Sequence, residues 1–315
     1  MSSVLAVPLF LASLAVTLAA ARSFAQRLDR IGTRFGLPEA MIGLLTAVAA
    51  DGPEISSALI ALAKGAHSTS VGVLVGSNAF NLAAMIGVSA LLAGCVALSR
   101  SDLAPEAALC GAITLIAAAV LLRWLGPVPG AVLTAAVIVP YGLWLRDAER
   151  HASGHSTAAP APASSKPTHH LLGLIVVDGA LIIGGSFGMV ESALTLGGRL
   201  NISQALLGVL ILGPLTSLPN AATAIRLGLA GRSTALVGET FNSNAINLGI
   251  GAVIPALFVS ISQPSGTAKV QVAWVVAMTA MTVAMLFRRR GIRRPEAAVL
   301  LALYAGFVLV TVLAP

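Results

Sequence analysis

The apolar positions of this chain come in long continuous runs, separated by short charged, polar or Gly/Pro-rich stretches. Cutting there leaves ten runs, near 3–21, 37–63, 70–98, 104–122, 127–145, 170–189, 203–229, 234–260, 270–287 and 296–313. About 20 apolar residues at roughly 1.5 Å per residue cross the hydrocarbon core of a bilayer. Inside lipid the backbone must satisfy its own polar groups, which a helix does. Continuous rather than alternating apolar character argues against strand spans. The pattern predicts an all-α integral membrane protein with ten transmembrane helices. Residues 1–21 read as the first helix rather than a secretory signal, because no positively charged segment precedes them.

Composition excludes a soluble domain. Of 315 residues, 57% are hydrophobic and 10% charged, with a mean hydropathy of +0.92, whereas about a quarter of a soluble domain is charged. The net charge of +7 does not point to nucleic acid, because the basic residues lie between apolar runs. There they orient the chain in the membrane. With the N-terminus outside, 15 of the 19 Lys and Arg residues fall in inside loops, leaving Lys64, Arg123, Arg199 and Lys269 outside. This asymmetry predicts ten crossings with both termini outside. "RRRGIRRP" at 288–295 reads as an inside-facing stop and lipid-contact patch. Trp124, Trp144 and Tyr141 read as interface anchors. Cys95 and Cys110 show no disulfide framework or metal-ligand spacing and read as packing residues.

Residues 147–169, "DAERHASGHSTAAPAPASSKPTH", are dominated by Ala, Pro and Ser and read as an inside linker. They divide the chain into two five-helix units, 1–146 and 170–315. His151 and His155 are four apart, but flanking Gly and Pro argue against the helix a metal pair would need.

The two units match at an offset of 166 residues. Pro53 pairs with Pro219, Gly65 with Gly231, Val71-Gly72 with Val237-Gly238, and "SNAFNL" at 77–82 with "SNAINL" at 243–248. Residues 53–82 and 219–248 share 10 identities in 30 ungapped columns. Five crossings is an odd number, so the second unit enters the membrane from the opposite side. Such inverted repeats typify secondary transporters, with substrate sites near the midplane where helices are interrupted. Gly, Pro, Ser and Asn inside the matched runs mark where such breaks would fall.

In "ADGPEISSAL", residues 50–59, Asp51 and Glu54 stand in an apolar run. Acids within the membrane are costly and mark ion pathways by default. A spacing of three places them near one helical face, and Pro53 loosens the backbone between them. Freed carbonyls together with carboxylates form a hard oxygen site suited to Na⁺, Ca²⁺ or a proton relay. The plainer alternative is a pair of acids bridging polar neighbours in helix packing. Asp178 reads as a packing residue, and Glu39 and Glu191 as interfacial. Nothing resembles a nucleophile triad, a phosphate loop or a dinucleotide fingerprint.

At these residues the chain resembles the cation/Ca²⁺ exchanger superfamily, the sodium/calcium exchanger membrane proteins. That family has two inverted five-helix repeats, each with a "GTSLPE"-like and a "GSNxFN"-like element. Here the counterparts are "AADGPE" at 49–54 and "GSNAFN" at 76–81, then "LTSLPN" at 215–220 and "NSNAIN" at 242–247. The resemblance implies ion ligation by Glu54, Ser77, Asn81, Thr216, Ser217 and Ser243, completed by backbone carbonyls near Ala47 and Gly213. It implies a cytoplasmic-membrane antiporter that exchanges a cation, Ca²⁺ first, against Na⁺ or H⁺ by alternating access. The first and sixth helices would slide against the rest. The transported ions would be its only bound groups, with no cofactor, and the lipid bilayer its surroundings.

The chain departs from that pattern. Asn220 stands where the family has its second acid, and Asn247 where many members have Asp. The first repeat has Ala50 and Asp51 in place of a Thr-Ser pair. It is also shorter by one, since Gly43 to Pro53 is ten steps and Gly208 to Pro219 eleven. This leaves the alignment of Asp51 open. Asp51 and Glu54 give a charge of −2, enough for one Ca²⁺ but all on one repeat. Asn220 and Asn247 can ligate through amide oxygens. Glu239 precedes Ser243 and Asn247 by one and two helical turns and would share their face. It either supplies a third carboxylate or sits at the membrane edge beside an Arg.

Three other readings stand beside the Ca²⁺ antiporter. One keeps the fold and moves a monovalent cation, or another metal against protons. Another is a membrane binding or sensing protein without transport. An intramembrane aspartyl protease is disfavoured, because neighbouring acids do not place one carboxylate on each of two facing helices. Oligomeric state is not legible.

Overall fold

The computed structural model describes residues 3–37, 39–98, 100–153, 168–259 and 263–313. Its helices are α1 (Ser3–Arg34), α2 (Glu39–Ala50), α3 (Gly52–Ala63), α4 (His67–Asn81), α5 (Ser89–Ala93), α6 (Arg100–Leu121), α7 (Pro127–Ser153), α8 (Thr168–Leu200), α9 (Gln204–Leu206), α10 (Gly213–Leu229), α11 (Ser233–Leu248), α12 (Gly266–Arg289) and α13 (Arg294–Leu313). π-helical turns at Leu82–Val88, Leu207–Leu212 and Gly249–Val253 join α4 to α5, join α9 to α10 and extend α11. Each of the ten apolar runs is therefore mainly helical over its described residues, the third ending on a short strand. Eight helical segments among the described residues are long and apolar enough to cross a membrane unaided. The other two runs are α2–α3, which is broken at Asp51, and α11 with its π turn.

Several boundaries differ from the apolar runs. α1 continues to Arg34 and α8 to Leu200, well past the predicted ends at 21 and 189. These two helices pack along each other, and that partner supports the polar extensions. Buried Asp178 of α8 accepts an ion-paired hydrogen bond from Arg27 of α1, which also donates to the Leu174 carbonyl at 3.2 Å. Asp178 is thus tied into the α1–α8 contact. α7 runs on to Ser153 and α8 begins at Thr168, so both ends of the expected linker are helical. Ala, Glu and Arg are good helix formers, and nothing stops α7 before Gly154. Residues 154–167, with His155, lie outside the described residues.

The fold also contains two short strands. β1 (Cys95–Ala97) pairs antiparallel with β2 (Gly291–Arg293), with Val96 opposite Ile292. This ribbon connects the two halves. It leaves Cys95 exposed on a strand, not packed as expected, whereas Cys110 is buried in α6.

Matched sequence gives matched turns. Gly65 ends α3 at φ +72° and Gly231 ends α10 at φ +71°, a left-handed backbone that glycine adopts without a Cβ clash. In both, the residue after the glycine closes the turn: Ala66 N–H donates to the Ala61 carbonyl and Arg232 N–H to the Leu227 carbonyl, each at 2.9 Å. α4 then crosses the π turn before α10 very closely. A Cβ on Gly76 would meet the Val209 Cα and carbonyl oxygen at 2.7 Å. The glycine of "GSNAFN" is what lets these backbones touch.

Candidate cation site

The two repeats build the site differently. In the first, Asp51 sits between α2 and α3 at φ −81°, ψ 0°, and Pro53 lies in the first turn of α3, where a missing N–H removes no helical hydrogen bond. In the second, α10 runs uninterrupted through Pro219, contrary to the expectation of a break in both repeats. Its irregularity lies upstream, in the π turn at Leu207–Leu212. A π turn accommodates an additional residue within a helix, and the second repeat has one residue more in this stretch. The offset of 166 is therefore intact where it matters, matching Asp51 with Ser217 and Glu54 with Asn220.

Asp51, Glu54, Ser77, Asn81, Thr216, Ser217 and Asn247 are all at 0% exposure, with Asn220 and Ser243 also buried. Asp51 Oδ1 accepts from Asn220 Nδ2 and from Ser243 Oγ, both at 2.7 Å. Asn81 Nδ2 donates to Ser243 Oγ at 3.3 Å and to Asn244 Oδ1 at 3.1 Å. Ser77 Oγ and Thr216 Oγ1 both donate to the Gly213 carbonyl, at 3.3 and 3.0 Å. The Ala47 carbonyl accepts from Asp51 N–H at 3.0 Å. Ser217 stands beside Glu54.

What remains is a set of buried oxygens with no hydrogen-bond partner: Asp51 Oδ2, Glu54 Oε1 and Oε2, Asn81 Oδ1, Ser217 Oγ and Asn247 Oδ1. They come from α3 and its leading residue Asp51, from α4, α10 and α11. No cluster of three or more His, Cys, Asp or Glu side chains occurs among the described residues. The donor set is therefore two carboxylates plus neutral oxygens. Leaving such atoms unpaired away from water costs several kcal/mol, more for a charged group. A cation among them would remove that penalty.

Glu239 does not join this inner set. It lines a cavity of about 910 Å³ whose floor is formed by Ala47, Ala50 and Asn220. Exposed Arg22 and Gln26 of α1 and Arg226 of α10 lie along its rim. Sequence reasoning passed over Glu106 of α6, which lines the same cavity. Glu106 Oε2 accepts from Tyr141 OH at 2.8 Å, and Tyr141 lies 3.2 Å from Asn242 Oδ1. Tyr141 is thus a cavity-wall residue and not an interface anchor, whereas Trp124 is 80% exposed. An acid at the start of an apolar run was the available signal. Asn78 and Asn244 were also passed over, although both lie inside the matched "SNA" elements.

On the opposite side of the carboxylates α8 lies over α3. Gly52 faces Ile182, Ser56 Oγ and Ser186 Oγ lie 2.6 Å apart, and Lys64 pairs with Glu191 above the Phe187 ring. The carboxylates are thus covered by α8 on one side and approached by the cavity on the other.

The chain is similar to proteins that move cations. A family described as sodium/calcium exchanger protein matches residues 5–145 and 170–313. CaxA of Alkalimonas amylolytica, a protein named as an antiporter, is 26% identical over 309 residues, covering 94% of this chain and 95% of that one. Among solved structures, the sodium-calcium exchanger NCX_Mj, soaked with Na⁺ and Sr²⁺, aligns with TM-score 0.66 at 20% identity, covering 98% of this chain and 99% of that one. The H⁺/Ca²⁺ exchanger CAX aligns with TM-score 0.76 at 18% identity, covering 98% of this chain and 86% of that one. Native YfkE aligns with TM-score 0.70 at 17% identity, covering 99% and 93%. With its matched repeats, membrane helices and family match over both halves, this chain belongs to the sodium/calcium exchanger protein family.

Proposed function

We propose that this cation antiporter exchanges Ca²⁺ against Na⁺ or H⁺ by alternating access to the Asp51/Glu54 site. One observation carries the reading: six buried oxygens without partners, two of them from Glu54 and one from Asp51, drawn from both repeats. Ca²⁺ takes six to eight oxygen ligands. The charge of −2 neutralises one divalent ion or two monovalent ones, which is the competition an exchanger needs. Na⁺ or H⁺ arriving from one side takes the carboxylates and displaces Ca²⁺.

The cavity flanked by Arg22 and Arg226 opens on the side where the inside loops cluster, so the molecule faces inward. α8 over α3 closes the other route. Opening outward requires α8 to leave α3 and α1 to close on α10, which fits α1 and α8 moving as a packed pair. On this reading the chain crosses the cell membrane ten times with both termini outside. Ions are its substrates, no covalent chemistry or cofactor takes part, and lipid surrounds it. Glu106 and Glu239 attract cations into the cavity, and Glu239 acts there, not as a third ligand.

The test is ⁴⁵Ca²⁺ uptake into proteoliposomes under an imposed Na⁺ gradient and, separately, a pH gradient, with Glu54→Gln alongside. Gradient-driven uptake lost in Glu54→Gln is expected. Absence of uptake under both gradients from folded protein would overturn the Ca²⁺ reading.

A further inference from the structure

Both acids of the site belong to the first repeat in sequence, yet the side chains beside them come from the second. Repeat exchange maps Asp51 onto Ser217 and Glu54 onto Asn220. The contacts obey this mapping. Asp51 touches Asn220, and Ser217 stands beside Glu54. One pairing is the repeat image of the other, hydrogen-bonded at Asp51–Asn220 but not at Glu54–Ser217, and each contains one carboxylate and one neutral side chain. The charge that is one-sided along the chain is thus even-handed in the site.

We propose that Asp51 supplies to the second repeat the carboxylate that repeat lacks, and that Asn220 is a positioning residue that holds it there. This rests on the cation-site reading above and deepens it. Asp51 Oδ1 receives two donors, Asn220 Nδ2 and Ser243 Oγ, and both come from the second repeat, on α10 and α11. Its other oxygen, Oδ2, is buried and unpartnered. Two neutral donors on one oxygen fix the carboxylate's rotation and leave the second oxygen to face a cation. Ser243 shows the same diversion. Its repeat mate Ser77 donates to the Gly213 carbonyl at 3.3 Å, whereas Ser243 donates to Asp51. A carboxylate accepts and cannot donate, so the amide nitrogen of Asn220 must face it. Asn220 then serves the site chiefly through its N–H, not as the amide-oxygen ligand its sequence position suggests.

Two ionised carboxylates 2.7 Å apart would repel inside a buried site, so an acid at 220 beside Asp51 would have to share a proton with it. Exchanging them, in contrast, keeps the charge and the hydrogen bond and reverses only donor and acceptor. Asp51→Asn, Asn220→Ala and the double exchange Asp51→Asn/Asn220→Asp form the test. Each is purified in detergent, checked for a single symmetric elution peak, and titrated with Ca²⁺ and with Na⁺ while the thermal midpoint is followed. ⁴⁵Ca²⁺ uptake is measured in parallel.

Asp51→Asn is expected to lose the cation-induced rise in midpoint and the uptake. The double exchange regains both, to within about threefold of the parent, since the pair is restored. Asn220→Ala keeps the carboxylates but weakens cation affinity about tenfold, the usual effect of removing a ligand's supporting hydrogen bond. A folded double variant as inert as Asp51→Asn, or Asn220→Ala with parental affinity, overturns the proposal. If the double variant does not fold, Asn220→Ala alone decides it. Stabilisation of the parent by Na⁺ but not Ca²⁺ sinks the Ca²⁺ reading and leaves this test standing on Na⁺. A parent stabilised by neither ion sinks both.

Discussion

Asn78 and Asn244 each donate a side-chain N–H to the other's backbone carbonyl, at 3.3 and 3.2 Å. They are 166 positions apart, the offset of the repeat, so the two bonds are images of one another. This reciprocal clasp joins α4 to α11 next to the carboxylates. Each of Asn78→Ala and Asn244→Ala should lower stability by about 1 kcal/mol, the net worth of a typical hydrogen bond. The double variant should lose about the sum, because each accepting carbonyl is backbone and survives the other substitution. Thermal melts of the four proteins check this; a double variant that loses clearly less than the sum would show that neither bond holds without the other.

Gly76 sits where α4 touches the π turn before α10. Gly76→Ala would place a Cβ 2.7 Å from the Val209 backbone, which cannot rotate away. Overpacking of this kind costs roughly 1–3 kcal/mol. Gly142→Ala, in α7 with nothing within 4 Å of the added carbon, should instead be neutral or stabilise by up to about 1 kcal/mol. Comparing the two melting temperatures separates close backbone approach from simple helix propensity.

Glu106 and Glu239 line the cavity but not the inner oxygen set. Glu106→Gln and Glu239→Gln should raise the half-saturating Ca²⁺ concentration on the cavity side by a few fold, and hardly change the maximal rate. The effect should fade as ionic strength rises, because attraction across a wet cavity is screened with a Debye length of about 8 Å at physiological salt. A loss of maximal rate in Glu239→Gln that salt does not reduce would return Glu239 to the ligand set.

Lys64 and Glu191 join α3 to α8 on the side away from the cavity, at 25% and 42% side-chain exposure. An ion pair this exposed is worth no more than about 1 kcal/mol. Lys64→Ala should shift the balance toward the outward-facing form by at most about fivefold. Maleimide labelling of Ala222→Cys, at the cavity wall, should slow accordingly when measured with Cys95 and Cys110 replaced. Unchanged labelling would mean that α8 is held on α3 by packing alone.

Much of the plan was legible along the chain. The apolar runs became mostly helical, because a single segment satisfies its own backbone in lipid only as a helix. The offset of 166 reappeared as matched turns at Gly65 and Gly231, since equal local sequence closes equal local hydrogen bonds. The acids stood out because a carboxylate in an apolar run needs a reason. None of this required knowing what lies beside what.

Proximity across the chain belonged to the tertiary structure. Only there does Asp51 leave its own repeat for Asn220 and Ser243, and only there does Tyr141 turn inward to Glu106. The break at Asp51 and the π turn at Leu207–Leu212 are two answers to a one-residue difference in length. Periodicity and composition report what each helix must do with its own backbone and with lipid. Which side chains share an ion depends on how helices distant in sequence cross, and that is set by close backbone approach between residues more than a hundred positions apart.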